Sequence, residues 1–238
     1  MPQENAKNVW DEGRWADVEE IEFDFMTNYI MEHVLSAISP TGKTTVELGS
    51  GTGRLSYLML KNGARKVTMV DSSKKAIELA TSLFQKEDPN SYEVVESDIF
   101  QFKQDQQYDI VFSSGVIEHF TGVKRFEIIK KHTDLASHCS IILHPSNTLY
   151  QRFFSVFPPA VKLYGFARPY PISEMNDYLK RIREVQDYSH KQFYLFYSVP
   201  LVHNQEWLNR NADSIGIGKR LGGFVLTHVA VDRREHHR

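Results

Sequence analysis

Residues Val46-Glu47-Leu48-Gly49-Ser50-Gly51-Thr52-Gly53-Arg54-Leu55 read as a short apolar strand that runs straight into a glycine turn and then opens a helix. This junction constrains the fold more than any other stretch of the chain. Glycines at alternate positions let the backbone turn sharply and approach a ligand that a Cβ would push away. An acid, Glu47, sits inside the strand, and a second acid, Asp71, closes another apolar run about twenty residues on. A tight strand-to-helix turn without any ligand is the plain structural alternative.

The segments around the junction follow one grammar. Apolar residues Phe25, Tyr29, Ile30, Val34, Leu35 and Ile38 predict a helix within residues 21–38, ended by Pro40 and Gly42. Strands are expected at 44–48, 66–70, 92–95, 108–112 and 139–143. Between them the helical pattern recurs after Gly53, after Ser72-Ser73 and over 123–136. Short buried strands alternating with amphipathic helices predict an α/β fold: a doubly wound, mostly parallel, Rossmann-like sheet covered on both faces. Ligands of such sheets bind beyond the carboxyl ends of the strands, which here are Gly49, Asp71, Asp98, Ser113 and His144.

After Ser146 the grammar changes. Five of the nine prolines fall between Pro145 and Pro171, and 14 of the 29 aromatic residues fall between Tyr150 and Trp207, which predicts an aromatic-rich insertion after the fifth strand. A helix is expected over 173–182 and strands over 192–199 and 223–231, completing a seven-stranded sheet.

Charge and cysteine content exclude several classes. The 28 Lys+Arg against 30 Asp+Glu leave a net charge of -2, so nothing attracts nucleic acid or an anionic membrane globally. A single cysteine, Cys139, excludes an internal disulfide framework and leads us to expect a reducing, cytoplasmic setting. No Cys/His cluster has zinc spacing, so no metal is expected. No run approaches the roughly eighteen apolar residues of a membrane span. Residues 1–15 are polar rather than leader-like, and the charged ending Arg233–Arg238 reads as a solvated tail.

Two cofactor classes use a turn of this kind. The dinucleotide fingerprint requires its third glycine at position 54, where Arg54 stands. The observed G-x-G-x-G spacing, together with Glu47, Asp71, Asp98 and Glu118-His119, resembles the class I S-adenosylmethionine-dependent methyltransferases over residues 44–143. The resemblance implies that Gly49, Ser50, Gly51 and Gly53 approach the amino-acid and ribose part of S-adenosylmethionine, with Glu47 near its amino group. It also implies that Asp71 accepts from the ribose hydroxyls, that Ser72 lines the adenine side, and that Asp98 takes the adenine amino group while Ile99 packs on the ring. Ser114 and Gly115 are placed beside the sulfonium. Helix or turn capping stays open as another use of Asp71 and Asp98. The product would be S-adenosylhomocysteine. The same likeness divides a single domain into an N-terminal helical cap (1–43), a cofactor-binding core (44–145), a substrate lid (146–190) and C-terminal strands (191–238).

Methyl transfer chiefly requires alignment, and a base only where the acceptor must lose a proton. His119 and His144, at strand ends, are the candidates, each with a structural alternative. Tyr150, Phe153, Phe154 and Phe157 are candidate substrate contacts, or else core. They suit a small aromatic or hydrophobic acceptor. A short basic patch, Lys162, Arg168, Lys180, Arg181 and Arg183, suits an acidic substrate or tRNA instead, and the alternatives are a protein or tRNA acceptor or an inactive cofactor-binding partner subunit. The sequence leaves the oligomeric state open.

Overall fold

The computed structural model describes residues 21–104, 106–158, 161, 167–194 and 205–232. Helix α1 (Phe25–Ala37) precedes β1 (Thr44–Leu48), α2 (Arg54–Lys61), β2 (Lys66–Asp71), α3 (Lys74–Phe84), β3 (Tyr92–Glu96) and β4 (Tyr108–Ser114). A single 3-10 turn (Ile117–His119) leads to α4 (Gly122–Leu135) and β5 (Ala136–Pro145). The rest is α5 (Leu149–Phe154), α6 (Ile172–Leu179), β6 (Val185–Phe193), α7 (Glu206–Ser214), α8 (Gly218–Leu221) and β7 (Phe224–Val231).

The sheet runs β3-β2-β1-β4-β5-β7-β6, seven strands among the described residues. All pairings from β3 to β5 are parallel, and β7 alone runs antiparallel to both of its neighbours, β5 and β6. The mostly parallel doubly wound sheet expected from the sequence is therefore present. Strand order reverses between β1 and β4, which opens a crevice at the carboxyl ends of those strands.

Each helix buries one stripe. Tyr29, Ile30 and Val34 of α1, Met59 of α2 and Phe84 of α3 join Met69 and Phe112 on one face of the sheet. On the other face Ile128 and Ile129 of α4 and Met175 and Leu179 of α6 pack against Ile142 and Val229. Local capping agrees with these boundaries: Asp24 Oδ1 accepts the Thr27 amide at 2.8 Å, and Ser73 Oγ accepts the Ala76 amide at 3.1 Å.

The sequence misplaces one strand. Instead of 192–199 the strand spans Val185–Phe193, because its alternation is partly polar and only its end is apolar; residues 195–199 lie outside the described ones. Helices α5, α7 and α8 are not among the elements expected from the sequence. The N-terminal segment 1–15, the tail Arg233–Arg238 and Lys162 also fall outside the described residues.

Candidate functional site

The glycine turn is built as three left-handed residues, with φ of 71° at Gly49, 53° at Gly51 and 74° at Gly53. Side chains rarely tolerate that region. Packing adds a second reason at two of the three. A Cβ on Gly49 would stand 2.6 Å from Val116 Cγ2, and one on Gly53 would stand 2.7 Å from Met69 Sδ. These glycines are thus demanded by the protein's own neighbours, not by close ligand approach alone.

The turn is laced to the end of β2. Gly49 and Ser50 donate their amides to the Val70 carbonyl at 2.8 and 3.0 Å. Asp71 continues the seam: its Oδ2 accepts the Gly51 amide at 2.8 Å, and its Oδ1 accepts the Ser73 amide at 2.9 Å. Ser50 is buried, and its Oγ has no hydrogen-bond partner among the described residues. Ser72 is half-buried beside this seam.

Glu47 has a structural duty that the sequence does not advertise. Its Oε2 accepts both the amide of Ser56, at 3.1 Å, and the Ser56 hydroxyl, at 2.6 Å. Ser56 lies in the first turn of α2, where amides lack helical partners, and the N-cap Gly53 has no side chain to serve them. Glu47 therefore caps α2 from the neighbouring strand. It is 3% exposed, and burial, with the charge of Asp71 adding, outweighs the Ser56 bonds and pushes its carboxyl from 4.5 up to about 8. Between those two pH values the folded protein holds a proton that the unfolded chain has released. Stability is accordingly lost as pH rises from about 4.5 to about 8. Comparing wild type with Glu47→Gln by urea unfolding should show wild type falling behind the variant at up to about 1.4 kcal/mol per pH unit inside that window. A pH-independent difference would contradict this.

Arg54, where a dinucleotide site has its third glycine, reaches back over the turn. Its Nη1 donates to the Glu22 carbonyl at 3.1 Å and lies 3.7 Å from Asp24, tying the start of α1 to α2. Asp98 is exposed and its Oδ1 accepts the Phe100 amide at 2.7 Å, so turn capping is one of its roles. Ile99 is half-buried and its Cδ1 would lie 3.5 Å from a Cβ on Gly49, which brings the segment after β3 to the edge of the glycine turn.

Across the crevice, β4 ends in Ser113 and Ser114. Ser113 donates its hydroxyl to His132 Nε2 at 2.8 Å, because His132 Nδ1 already donates to the Ile128 carbonyl. Strand alternation then turns half-buried Ser114 to the opposite face. Gly115, with φ of 73°, donates its amide to the Leu143 carbonyl at 3.0 Å and so closes β4 onto β5. His119 is half-buried at the end of the following 3-10 turn.

His144 needs correcting as a base. It is fully buried, its Nδ1 donates to the Pro145 carbonyl at 2.9 Å, and its ring stacks on Tyr170 with centroids 4.5 Å apart. Burial, reinforced by His190 and Arg125, pushes its pKa down to about 3, too low to draw a proton from an acceptor near neutral pH. Among the aromatic candidates, Phe153 is 68% and Phe157 44% exposed, with rings stacked at 6.2 Å. The core alternative therefore fails for those two. Tyr150 is half-buried, and the side chain of Phe154 lies outside those described.

Two residues escaped the sequence reading. Arg125, 1% exposed, donates from Nε to the Ile117 carbonyl, from Nη1 to Glu174 and from Nη2 to the Arg168 carbonyl. Tyr170, 2% exposed, packs beneath its guanidinium at 4.0 Å. The signal for Arg125 was present: residues 125, 128, 129 and 132 share one buried helical stripe of α4. Among the described residues, no group of three or more His, Cys, Asp or Glu is placed to hold a metal ion, and no helix is long and apolar enough to cross a membrane.

Known proteins share this arrangement. A family profile described as a methyltransferase domain matches residues 46–136. A probable (S)-tetrahydroprotoberberine N-methyltransferase from Papaver bracteatum is 26% identical over 132 residues, which amounts to half of this chain but only 36% of that relative. The structure of magnesium protoporphyrin IX methyltransferase from Synechocystis PCC 6803 with bound S-adenosylhomocysteine superposes with a TM-score of 0.62 at 16% identity, covering 96% of this chain and 97% of that one. The complex between the Haloferax volcanii Trm112 methyltransferase activator and a methyltransferase gives a TM-score of 0.65 at 16% identity, covering 98% and 100%. Residues 46–136, which carry the glycine turn, thus match a methyltransferase domain, and the fold around them is similar to that of solved class I S-adenosylmethionine-dependent methyltransferases.

Proposed function

We propose that the protein transfers a methyl group from S-adenosylmethionine to a small, largely apolar acceptor. The observation that carries the donor half is the seam in which Asp71 holds both the Gly51 and Ser73 amides, with the unpartnered hydroxyl of Ser50 buried beside it. Loop, carboxylate and hydroxyl then offer acceptors and a donor to the amino-acid and ribose parts of the cofactor, while Asp98 and Ile99 flank the adenine side. S-adenosylmethionine, when bound, supplies a methyl group activated by its sulfonium. Ser114 and Gly115 border the place where that group meets the acceptor.

The acceptor half rests on α5. It follows directly from the end of β5, anchored by Gln151 Nε2 donating to the Gly223 carbonyl at 2.8 Å. It carries Leu149, and it leads into Val156 and Phe157; these three and Phe153 are all exposed. Exposed apolar surface at the rim of a polar crevice suits an aromatic or lipid-like small molecule. His119, half-buried at the same end of the sheet, is the remaining candidate base. The likeness to the Haloferax volcanii complex supports a competing reading in which that apolar strip meets a second subunit.

Calorimetry with S-adenosylhomocysteine, followed by a labelled-methyl acceptor screen on the isolated chain, tests this. Binding together with transfer to apolar small molecules is the expected result. No binding would remove the reading. Binding with transfer only in the presence of an added protein subunit would favour the competing one. If His119 is the base, His119→Ala should lower turnover about 100-fold or more and remove the corresponding limb of the pH–rate profile.

A further inference from the structure

We propose that the polar atoms buried beneath the 115–119 turn form a recognition pocket for a basic nitrogen on the acceptor, with Glu118 as the charge that selects it. This rests on the methyltransferase reading above and narrows its acceptor.

Three side chains gather around Tyr170. The Tyr170 ring lies between the Arg125 guanidinium, at 4.0 Å, and the His144 ring, at 4.5 Å and 23°. Glu118 acts electrostatically on the same phenol, raising its pKa behind the larger effect of burial. Glu118 is 3% exposed, Tyr170 2% and His144 0%. Each carries a buried polar atom with no hydrogen-bond partner among the described residues: Glu118 Oε2, Tyr170 Oη and His144 Nε2. One such atom is costly, and three in one neighbourhood mark a set that an incoming group completes.

The chemistry of the three atoms says what that group brings. Because His144 Nδ1 donates to the Pro145 carbonyl, its Nε2 is a bare lone pair that only accepts. An ionised Glu118 also only accepts, and the Tyr170 hydroxyl accepts as readily as it donates. The set therefore calls for N–H or O–H donors. Charge narrows the choice. Arg125 directs its three nitrogens at the Ile117 carbonyl, Glu174 and the Arg168 carbonyl, so it reaches Glu118, as His119 does, through charge alone and leaves the Oε2 lone pairs open to a donor. An anionic acceptor would face a buried carboxylate, whereas a protonated amine supplies both the donors and a charge of opposite sign. Burial raises the Glu118 carboxyl above its usual range although His119 and Arg125 oppose it, and a further cation beside it would act against that shift.

Position supports the assignment. A Cβ on Gly115 would lie 3.7 Å from Glu118 Oε1, and Gly115 bonds to Leu143 at the joined ends of β4 and β5. Glu118 thus lies beside the residue expected at the reacting methyl group. The nitrogen recognised is an anchor, whether or not it is the atom methylated.

Calorimetry on the intact protein saturated with S-adenosylhomocysteine tests the idea with three probes of matched size: benzylamine, benzyl alcohol and benzoate. Benzylamine is expected to bind at least about tenfold more tightly than the other two. Glu118→Gln should remove that advantage, and Tyr170→Phe should weaken benzylamine binding about two- to fivefold. Glu118→Asp keeps the charge and should retain part of the preference, which separates a lost charge from a damaged fold. Benzoate or benzyl alcohol binding as tightly as benzylamine, no probe binding at all, or full amine affinity in Glu118→Gln would each overturn the proposal; ordered water would then be what satisfies the three atoms. S-adenosylhomocysteine failing to bind wild type would instead overturn the methyltransferase reading, and that is read before any probe is added.

Discussion

Asp71→Ala is expected to weaken S-adenosylhomocysteine binding by about 100-fold, close to 2.7 kcal/mol. The carboxylate holds two backbone amides at once, Gly51 on the glycine turn and Ser73 at the cap of α3. Hydrogen bonds to a charged acceptor contribute about 1.5–3 kcal/mol each. Losing them frees the turn from the end of β2 at the point where the ribose is to be held, so the penalty appears as lost preorganisation as well as lost contact. Asp71→Asn keeps one carbonyl acceptor of similar shape and should fall between wild type and alanine. Calorimetric titration of the three proteins decides the matter: a loss of less than about threefold for Asp71→Ala would mean that the carboxylate serves the fold alone.

Gly49→Ala is expected to destabilise the protein by about 2–4 kcal/mol, combining the cost of a left-handed side chain with overpacking. The added methyl group would stand 2.6 Å from Val116 Cγ2, and Val116 is 7% exposed and stiff at its branched carbon. The two contributions separate in a cycle. Adding Val116→Ala to Gly49→Ala should relieve the steric part and leave about 1–2 kcal/mol of backbone strain. Urea unfolding of the four proteins measures it, and strict additivity of the two substitutions would show that Gly49 and Val116 do not press on each other.

How much of this was legible in the sequence differs from element to element. The parallel core was readable from β1 to β5 because each strand is a short apolar run between helices with clear stripes, and both periods follow from local geometry. The strand at Val185–Phe193 was not, since its pattern is diluted by Asp187, Ser189 and His190. In the site, the glycine turn and Asp71 stood out by spacing. Residues 118, 144 and 170 did not stand out in this way, because what matters about them is burial and unpaired atoms, and neither is a property of position along the chain.

The chemistry of the turn itself was determined by sequence alone: three glycines at alternate positions, an arginine where a dinucleotide site needs glycine, and acids at 47 and 71. Residue identity and spacing carry such information because the backbone conformations involved are open only to glycine. Tertiary structure decided what those residues do for one another. It turned Glu47 into the cap of α2, made Gly49 yield to Val116, withdrew His144 from proton transfer by burying it, and gathered Glu118, Tyr170 and His144 around one orphaned set of polar atoms. The physical reason is that desolvation and hydrogen-bond satisfaction depend on what surrounds an atom in space, and segments distant in the chain supply those surroundings.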